Sequence, residues 1–430
     1  MEESLKITVL ISATVVAGIS AQVLASYLQI PSIVFLLLFG VLLGADGFDF
    51  IHPSLLGNGL EVLVSLLVAV ILFEGGLNLQ LRELGYVSSS LRNLITIGVL
   101  ITLIGSTVAA HWLSEFPWTI AFLYASLVVV TGPTVIQPLL KQVGVDRQVS
   151  TLLEGEGVFI DPIGAILAAI VLHLVLSGNV ELLVSIESLL LRLGIGGAIG
   201  AVGGWLLSII LRQDSFLSQE LKNLVVLASV WGLFSLAQVI RGESGLVVVV
   251  VMGIVLRAAY LPSEPLLRHF NEQLSILSNS VLFILLAADL SIASVFALGW
   301  GSVFTVLVLM LVVRPINILI STWNQGFNWR QQLFLCWVAP RGIVAASLAS
   351  LFAVSLTKNG INGGDSIKAL VFLTIIITVF CQGLTARWVA SLLNLRISQV
   401  DEERSPLVNE NEVKMPDREK IGLASESVDS

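Results

Sequence analysis

Two stretches of this 430-residue chain decide its fold: LVVVTGPTVIQPLL at residues 127–140 and LFLCWVAPRGIVAASL at residues 333–348. Each stretch places proline next to glycine, or two residues from it, in the middle of an apolar run. A proline has no backbone N–H, so Pro133 leaves the carbonyl of Val129 without its helical donor, and Pro340 acts likewise in the second stretch. Backbone freed at membrane depth is tolerated only where protein or a watery cavity satisfies it. The sequence therefore predicts two interrupted helices inside a membrane.

The composition is that of a polytopic membrane protein. Hydrophobic residues make up 56% of the chain and charged residues 12%, which is about half the charged fraction of soluble globular proteins. The net charge of −8 owes much to the tail, so it does not indicate a nucleic-acid partner. Apolar runs of about 20 residues are long enough to cross a bilayer. They predict thirteen spans, at roughly 5–25, 31–45, 60–79, 91–113, 118–140, 150–177, 186–211, 222–240, 243–260, 272–295, 299–322, 330–354 and 366–395. Twelve spans are the alternative, because the second is short and the break at 240–243 is tight.

The distribution of Lys and Arg predicts the orientation. Connections that carry basic residues, such as 82–92 and 141–147, alternate with connections that have none, such as 44–61 and 113–118. Because cytoplasmic loops are enriched in Lys and Arg, we expect the N-terminus outside and the C-terminus in the cytoplasm. The tail at 400–430 lacks aromatic residues and any sustained apolar period, and we predict that it is disordered.

The two interrupted spans occupy matching places along the chain. They are the fifth and the twelfth, and an offset of seven spans reverses the direction of the chain. This arithmetic predicts an inverted repeat that relates spans 1–6 to spans 8–13, with span 7 as the connector. Paired interrupted segments are the best indication in a sequence of a transport site near the bilayer midplane.

Acidic residues in the sixth span supply the candidate chemistry. The stretch LLEGEGVFIDPIGAIL at residues 152–167 carries three carboxylates, although a charge in hydrocarbon is costly. Asp161 lies eleven residues beyond the predicted start of the span, about 16 Å deep and near the middle of the bilayer. An intramembrane acid at this depth predicts a functional site.

Spacing gives Asp161 a set of neighbouring oxygen atoms. Glu154 lies seven residues before it and shares its helical face, with Gly157 between them leaving the backbone bare. Pro162 frees the carbonyl of Val158. Oxygen ligands of this kind suit a hard cation such as Na⁺ or Li⁺.

Glu156 is better placed for a structural role. It is five residues from Asp161 and points away from the shared face. Arg341 reaches a similar depth in the twelfth span, so we predict a buried Glu156–Arg341 ion pair that fixes helix packing.

Competition at one carboxylate is enough for obligatory exchange. Desolvation disfavours the charged form of a buried acid, so Asp161 can hold either a proton or a metal cation, but not both. If the loaded forms switch access and the bare anion does not, transport of one ion requires return of the other. The sequence has no Walker-type loop and no metal-ligand spacing, so we predict no cofactor and no enzymatic activity.

Four stretches resemble a known family: PSIVFLLLFGVLLGADG in span 2, ILFEGGLNLQLREL in span 3, TGPT with EGEGVFIDPIGAIL in spans 5 and 6, and APRGIVAASLA in span 12. On these, the chain resembles monovalent cation/proton antiporters of the NhaP and Na⁺/H⁺-exchanger type, up to about residue 395. The resemblance implies a transmembrane domain at 1–399 with thirteen helices, divided into a dimerisation domain and a core domain of spans 4–6 and 11–13. In the core, unwound spans 5 and 12 cross, and the protein is expected to form a homodimer.

The resemblance also implies roles for particular residues. It places the cation site at Asp161 and Thr131, joined in some relatives by Glu74. It likewise pairs Glu156 with Arg341.

Several positions depart from the family pattern. Ile160 stands where an Asn is common, Gly157 where a Ser often supplies a ligand, and Gly132 where an acid follows the threonine. Arg314 in span 11 resembles another buried arginine of the family. If it has lost its partner, Asp289 is a candidate replacement.

The neighbour of Asp161 predicts the stoichiometry. Relatives with two adjacent acids at this point carry an extra proton. Because Ile160 precedes Asp161 here, we predict electroneutral exchange of one proton for one cation.

The leading hypothesis is an Na⁺(Li⁺)/H⁺ antiporter in the plasma or inner membrane. A K⁺/H⁺ antiporter with the same residues is the alternative. A channel would favour rings of polar groups along a pore, whereas here they cluster at one depth. An anion or bile-acid-type symporter is compatible with the broken helices, but the central acid favours a cation.

Overall fold

The computed structural model describes residues 2–28, 30–79, 81–177, 182–212, 218–259 and 264–396, which are almost entirely helical. The predicted tail at 400–430 lies outside these ranges. The helices in chain order are α1 (Glu2–Leu28), α2 (Ser32–Leu43), α3 (Asn58–Asn78), α4 (Leu81–Asn93), α5 (Val99–Leu113), α6 (Trp118–Val128), α7 (Pro133–Val143), α8 (Arg147–Ser177), α9 (Leu182–Leu211), α10 (Gln219–Ile240), α11 (Ser244–Ala258), α12 (Glu264–Ala288), α13 (Ile292–Ala297), α14 (Gly299–Val308), α15 (Arg314–Ser321), α16 (Trp329–Trp337), α17 (Ile343–Lys358) and α18 (Gly364–Leu392).

The predicted polytopic helical class is confirmed. Within the described ranges, nine helical segments are long and apolar enough to cross a membrane, and four shorter apolar helices accompany them. A π turn at Leu94–Gly98 joins α4 to α5, and another at Leu309–Val313 joins α14 to α15. Each pair therefore forms one continuous helix with a π turn inside it. The number of thirteen spans and the inverted repeat stay predictions.

Exposed tryptophans mark the two ends of the bundle. Hydrogen bonds join the end of α5 to α14 at one end, through Ser114 and Thr305, and the start of α8 to α16 at the other, through Asp146 and Gln331. Indole rings favour the membrane–water interface, so these two layers indicate the limits of the membrane. Six of the exposed tryptophans lie in these layers, Trp112, Trp118 and Trp300 at the first end and Trp323, Trp329 and Trp388 at the second, while Trp205 and Trp231 are exposed within α9 and α10.

The helices pack as two groups that contact each other. The first group contains α1–α3 and α9–α12, and glycines allow its helices to approach closely. A Cβ atom on Gly253 of α11 would lie 2.5 Å from the carbonyl oxygen of Phe73 in α3. The second group contains α4–α8 and α13–α18. The two helices that carry π turns pack against each other, since Asn317 in α15 donates to the carbonyl of Gly98, in the first π turn, at 3.2 Å.

The two predicted interruptions are confirmed and lie in contact. The helix of span 5 stops at α6 and resumes as α7, leaving residues 129–132 non-helical, and span 12 does the same at residues 338–342. A Cβ atom on Gly342 would lie 2.5 Å from the Cα atom of Gly132. The two unwound backbones therefore cross at van der Waals distance, and a side chain at this point has no room.

Replacing Gly342 by alanine tests this crossing. Because the added methyl group would meet backbone rather than a flexible side chain, we expect Gly342→Ala to destabilise the protein by about 1–3 kcal/mol and to impair function. The matched control is Gly232→Ala on exposed α10, where a Cβ atom meets nothing within 4 Å. The measurement is the thermal unfolding midpoint of the purified protein. Equal midpoints for the two variants would contradict the crossing.

Candidate functional site

The long helix α8 carries Asp161 into the interior. The side chain of Asp161 is fully buried, at 0% exposure, and Pro162 follows it inside the helix. Neither carboxylate oxygen of Asp161 has a hydrogen-bond partner in the described part of the chain. Buried polar atoms are almost always paired, so a carboxylate without a partner is the feature that a transported ion would use.

The first unwound segment runs beside Asp161. Gly164 lies one turn further along the same face of α8, and a Cβ atom there would be 2.5 Å from a methyl carbon of Val130. The next residue, Thr131, is buried, and its hydroxyl also lacks a hydrogen-bond partner among the described residues. The structure thus brings the Thr131 segment against the turn of α8 that carries Asp161.

A backbone oxygen adds to these two groups. Pro162 has no N–H to donate to the carbonyl of Val158, and Val158 is buried. Gly157 beside it is buried and offers no side chain. Glu154, which shares the face of Asp161, is half-buried and lies about two turns before Asp161 in α8. The arrangement offers carboxylate, hydroxyl and carbonyl oxygens, the donor set that hard cations prefer.

The partner of Glu156 differs from the one predicted. Both terminal nitrogens of Arg314 donate to the Glu156 carboxylate, Nη1 to Oε1 and Nη2 to Oε2, the latter at 2.8 Å. Arg314 also donates to the carbonyls of Leu335 and Val338, at 3.2 and 3.3 Å, at the broken end of α16. The predicted pairing with Arg341 is therefore wrong. Counting residues along the spans places Arg314 and Arg341 at a similar depth, so it cannot identify the partner of Glu156. The rotation of each helix about its axis determines which arginine reaches the carboxylate.

Arg341 instead serves the other interrupted helix. Its Nη1 donates at 3.3 Å to the carbonyl of Val129, the oxygen that Pro133 leaves without a helical donor. Its backbone N–H donates to Thr378 at 3.4 Å. The buried guanidinium thus donates to a backbone carbonyl rather than to a carboxylate, and its Nε has no hydrogen-bond partner among the described residues.

Two further predicted residues form contacts of their own. Glu74 in α3 accepts a hydrogen bond from Asn78 and lines a cavity between α3, α7 and α12. Asp289 follows α12, and its backbone carbonyl accepts from Lys368 at 2.7 Å, while its carboxylate forms an ion pair with the same lysine. The suggestion that Asp289 replaces a partner of Arg314 is wrong, because each of them pairs elsewhere.

Polar residues on α18 were missed by the sequence analysis. Gln382 accepts from the N–H of Ala339 at 3.0 Å, and Thr378 accepts from that of Arg341, so α18 satisfies the second unwound segment. Thr374 bonds to the hydroxyl of Tyr124 at 2.8 Å. These residues recur every fourth position in an apolar helix, and this spacing was the signal available in the sequence.

A double-mutant cycle tests the ion-pair assignment. Removal of one partner of a buried ion pair costs about 3–5 kcal/mol because the other charge is left uncompensated. We expect Glu156→Gln and Arg314→Met each to lower the thermal midpoint strongly, and the double variant to lose much less than the sum. The control cycle uses Glu156→Gln with Arg341→Met, which should show much weaker coupling because Arg341 makes no hydrogen bond to Glu156. Coupling to Arg341 but not to Arg314 would contradict the assignment.

Comparison with known proteins agrees with this architecture. The family model described as "Sodium/hydrogen exchanger, transmembrane" matches residues 10–392. The chain is similar to the Na⁺/H⁺ antiporter NhaH of Halobacillus aidingensis, at 27% identity over 409 residues that cover 90% of this chain and 96% of that protein. It is also similar to the Na⁺/H⁺ antiporter ApNhaP of Aphanothece halophytica, at 26% identity, covering 90% of this chain and 74% of the relative.

The chain is also similar to a relative named for K⁺ and to a protein of known structure. The K⁺/H⁺ antiporter NhaP2 of Shewanella sp. (strain ANA-3) is 24% identical, over 87% of this chain and 64% of that protein. The sodium proton antiporter MjNhaP1 of Methanocaldococcus jannaschii has the same fold, with a TM-score of 0.80 over 89% of this chain and 100% of that chain at 22% identity. Because the family model spans nearly all of the helical region, this multi-pass chain belongs to the sodium/hydrogen exchanger family of transporters.

Proposed function

We propose that this chain is a secondary antiporter that exchanges Na⁺ or Li⁺ for H⁺ at Asp161. The observation that carries the proposal is the fully buried Asp161 carboxylate, whose two oxygens have no partner in the described part of the chain. A carboxylate held only for packing would be paired. An unpaired one is available to a proton or to a cation in turn.

The neighbouring oxygens define how each ion is held. Deprotonated Asp161 provides the charge, and the hydroxyl of Thr131 and the free carbonyl of Val158 replace part of the hydration shell of the cation. Protonation removes that charge and releases the cation. Because a bare anion at this depth is costly, the empty form crosses between the two access states slowly, and exchange is obligatory.

The charge balance around the crossing supports a one-to-one stoichiometry. Glu156 is committed to Arg314, and Arg341 is an arginine that stays protonated. Ile160 beside Asp161 is apolar. Asp161 is then the group whose charge changes, and its proton-loaded and cation-loaded forms carry the same net charge. The exchange should be electroneutral.

Exchange of K⁺ for H⁺ is the second candidate. A relative named as a K⁺/H⁺ antiporter matches 87% of this chain. Here Ile160 and Gly157 replace polar ligands, so backbone and water contribute more of the coordination, and such a shell discriminates less between alkali cations.

The architecture suggests how the site changes access. We propose that α4–α8 and α13–α18 form a core that moves against a scaffold of α1–α3 and α9–α12, the scaffold forming the homodimer. The inverted repeat is supported by paired irregularities: spans 4 and 11 each carry a π turn, and spans 5 and 12 are each broken. We further propose an external N-terminus, a cytoplasmic C-terminus and a location in the plasma or inner membrane.

Neutralising Asp161 tests the site. In inside-out vesicles loaded with a pH-sensitive dye, we expect Asp161→Asn to abolish dequenching by Na⁺, Li⁺ and K⁺, because the amide binds neither a proton nor a cation in exchange. The matched control is Asp365→Asn at the exposed start of α18, which should behave as wild type. The same assay on wild type ranks the three cations. Retained exchange in Asp161→Asn would overturn the site.

The stoichiometry needs a separate measurement. In proteoliposomes with the membrane potential set by a gradient of the lipophilic cation tetraphenylphosphonium and no K⁺ present, exchange of Na⁺ driven by a pH gradient should proceed at the same rate at each potential. A one-to-one exchange moves no net charge, so voltage does no work on it. A rate that changes steeply with voltage would contradict electroneutrality.

A further inference from the structure

A polar cavity of about 240 Å³ lies apart from Asp161, between α1, α2, α3, α7 and α12. It is partly open to the outside of the bundle, and Asp161 is not among the residues that line it. A single water needs only a small fraction of this volume. The cavity is therefore large enough for a cation that keeps part of its hydration shell.

One face of α12 supplies oxygen atoms to this cavity. Glu272, Ser275 and Asn279 are spaced three and four residues apart and all line it. Ser275 is only 3% exposed, and its hydroxyl has no hydrogen-bond partner in the described ranges. The side-chain carbonyl of Asn279 is unpartnered in the same way. Buried polar atoms of this kind indicate a ligand, since without one they are costly.

The opposite wall adds a second carboxylate whose position is fixed. Glu74 in α3 accepts from the amide of Asn78, and the amide oxygen of Asn78 accepts from Arg268 in α12 at 3.0 Å. Gln137 in α7 also faces the cavity. Carboxylate, hydroxyl and amide oxygens are the ligands that a hard cation prefers.

The cavity leads from one end of the bundle toward the unwound segment. Along α12 its lining extends from Glu272 to Phe283, about 16 Å of helix. Phe283 and Leu36, both buried, make the inner part apolar. Gln137 stands one turn beyond the start of α7, and Thr131 immediately precedes that start. An ion in this cavity is close to the segment that carries Thr131.

We propose that this cavity is a second cation site, in which Glu272, Ser275 and Asn279 hold a partly hydrated monovalent cation before it reaches Asp161. The proposal rests on the proposed function only for the destination of the ion. The cavity binds weakly and releases the ion inward. Glu272 determines how often a cation occupies the cavity, and Asp161 carries out the exchange of the cation for a proton.

Binding in an Asp161→Asn background tests the second site independently of transport. The full-length purified protein would be titrated with ²²Na⁺ in a scintillation proximity assay. We expect Asp161→Asn to retain weak saturable binding, and Asp161→Asn/Glu272→Gln to lose it at least fivefold. The matched control is Asp161→Asn/Glu220→Gln, because Glu220 is exposed at the start of α10. Loss of all saturable binding in Asp161→Asn, or unchanged binding in the Glu272 double variant, would overturn the proposal.

Transport kinetics separate this role from a structural one. Glu272→Gln in the otherwise native chain should raise the apparent KM for Na⁺ at least threefold and leave the maximal rate unchanged, and Asn279→Ala should act in the same direction. Glu272→Asp, which keeps the charge, should restore much of the affinity. A fall in maximal rate with an unaltered KM would assign Glu272 to packing. The proposed function itself is tested by a different result, the vesicle assay on Asp161→Asn, in which retained exchange would contradict it.

Discussion

Backbone carbonyls released at the middle of the membrane must find donors, and the rest of the site depends on how they do so. The breaks after α6 and α16 leave such carbonyls where lipid offers nothing to bond. Arg341 donates to Val129 in the first break, and Arg314 donates to Leu335 and Val338 at the second. Each interrupted helix is thus completed by an arginine from another part of the core.

This use of the arginines determines which acid is left for an ion. Glu156 neutralises Arg314 and is fixed by two hydrogen bonds. Arg341 is occupied with backbone, and the neighbouring Gly132 brings no carboxylate to it. Asp161 lies at the same crossing without a partner in the described chain. Its availability follows because Glu156 is committed to Arg314, and Arg341 donates to a backbone carbonyl rather than to Asp161.

The crossing leaves no room for a side chain on the second unwound segment. A Cβ atom on Gly342 would lie 2.5 Å from the Cα atom of Gly132, so the two unwound backbones touch. Gly132 brings no charged side chain to this point. The charges near the crossing therefore come from Glu156, Arg314, Arg341 and Asp161.

The helix α12 connects the proposed entry cavity with the opposite end of the bundle. Its first half lines the cavity through Glu272 and Asn279, and Asp289 directly after it pairs with Lys368 of α18. One helix of the first group thus contacts the route for the ion at one end and the second group at the other. These contacts are part of the interface between the two groups, which also includes α8 against α9 and α11.

The sequence by itself determined the helical membrane class, the two interruptions and the burial of Asp161. These follow from local rules: apolar runs form spans, proline frees a carbonyl four residues earlier, and spacing assigns residues to a face. Only the tertiary structure decided that Glu156 meets Arg314, that Arg341 meets Val129, and that Asp289 belongs to Lys368. Such partners depend on the rotation and crossing of helices far apart in the chain. Two arginines at equal depth cannot be told apart by counting residues.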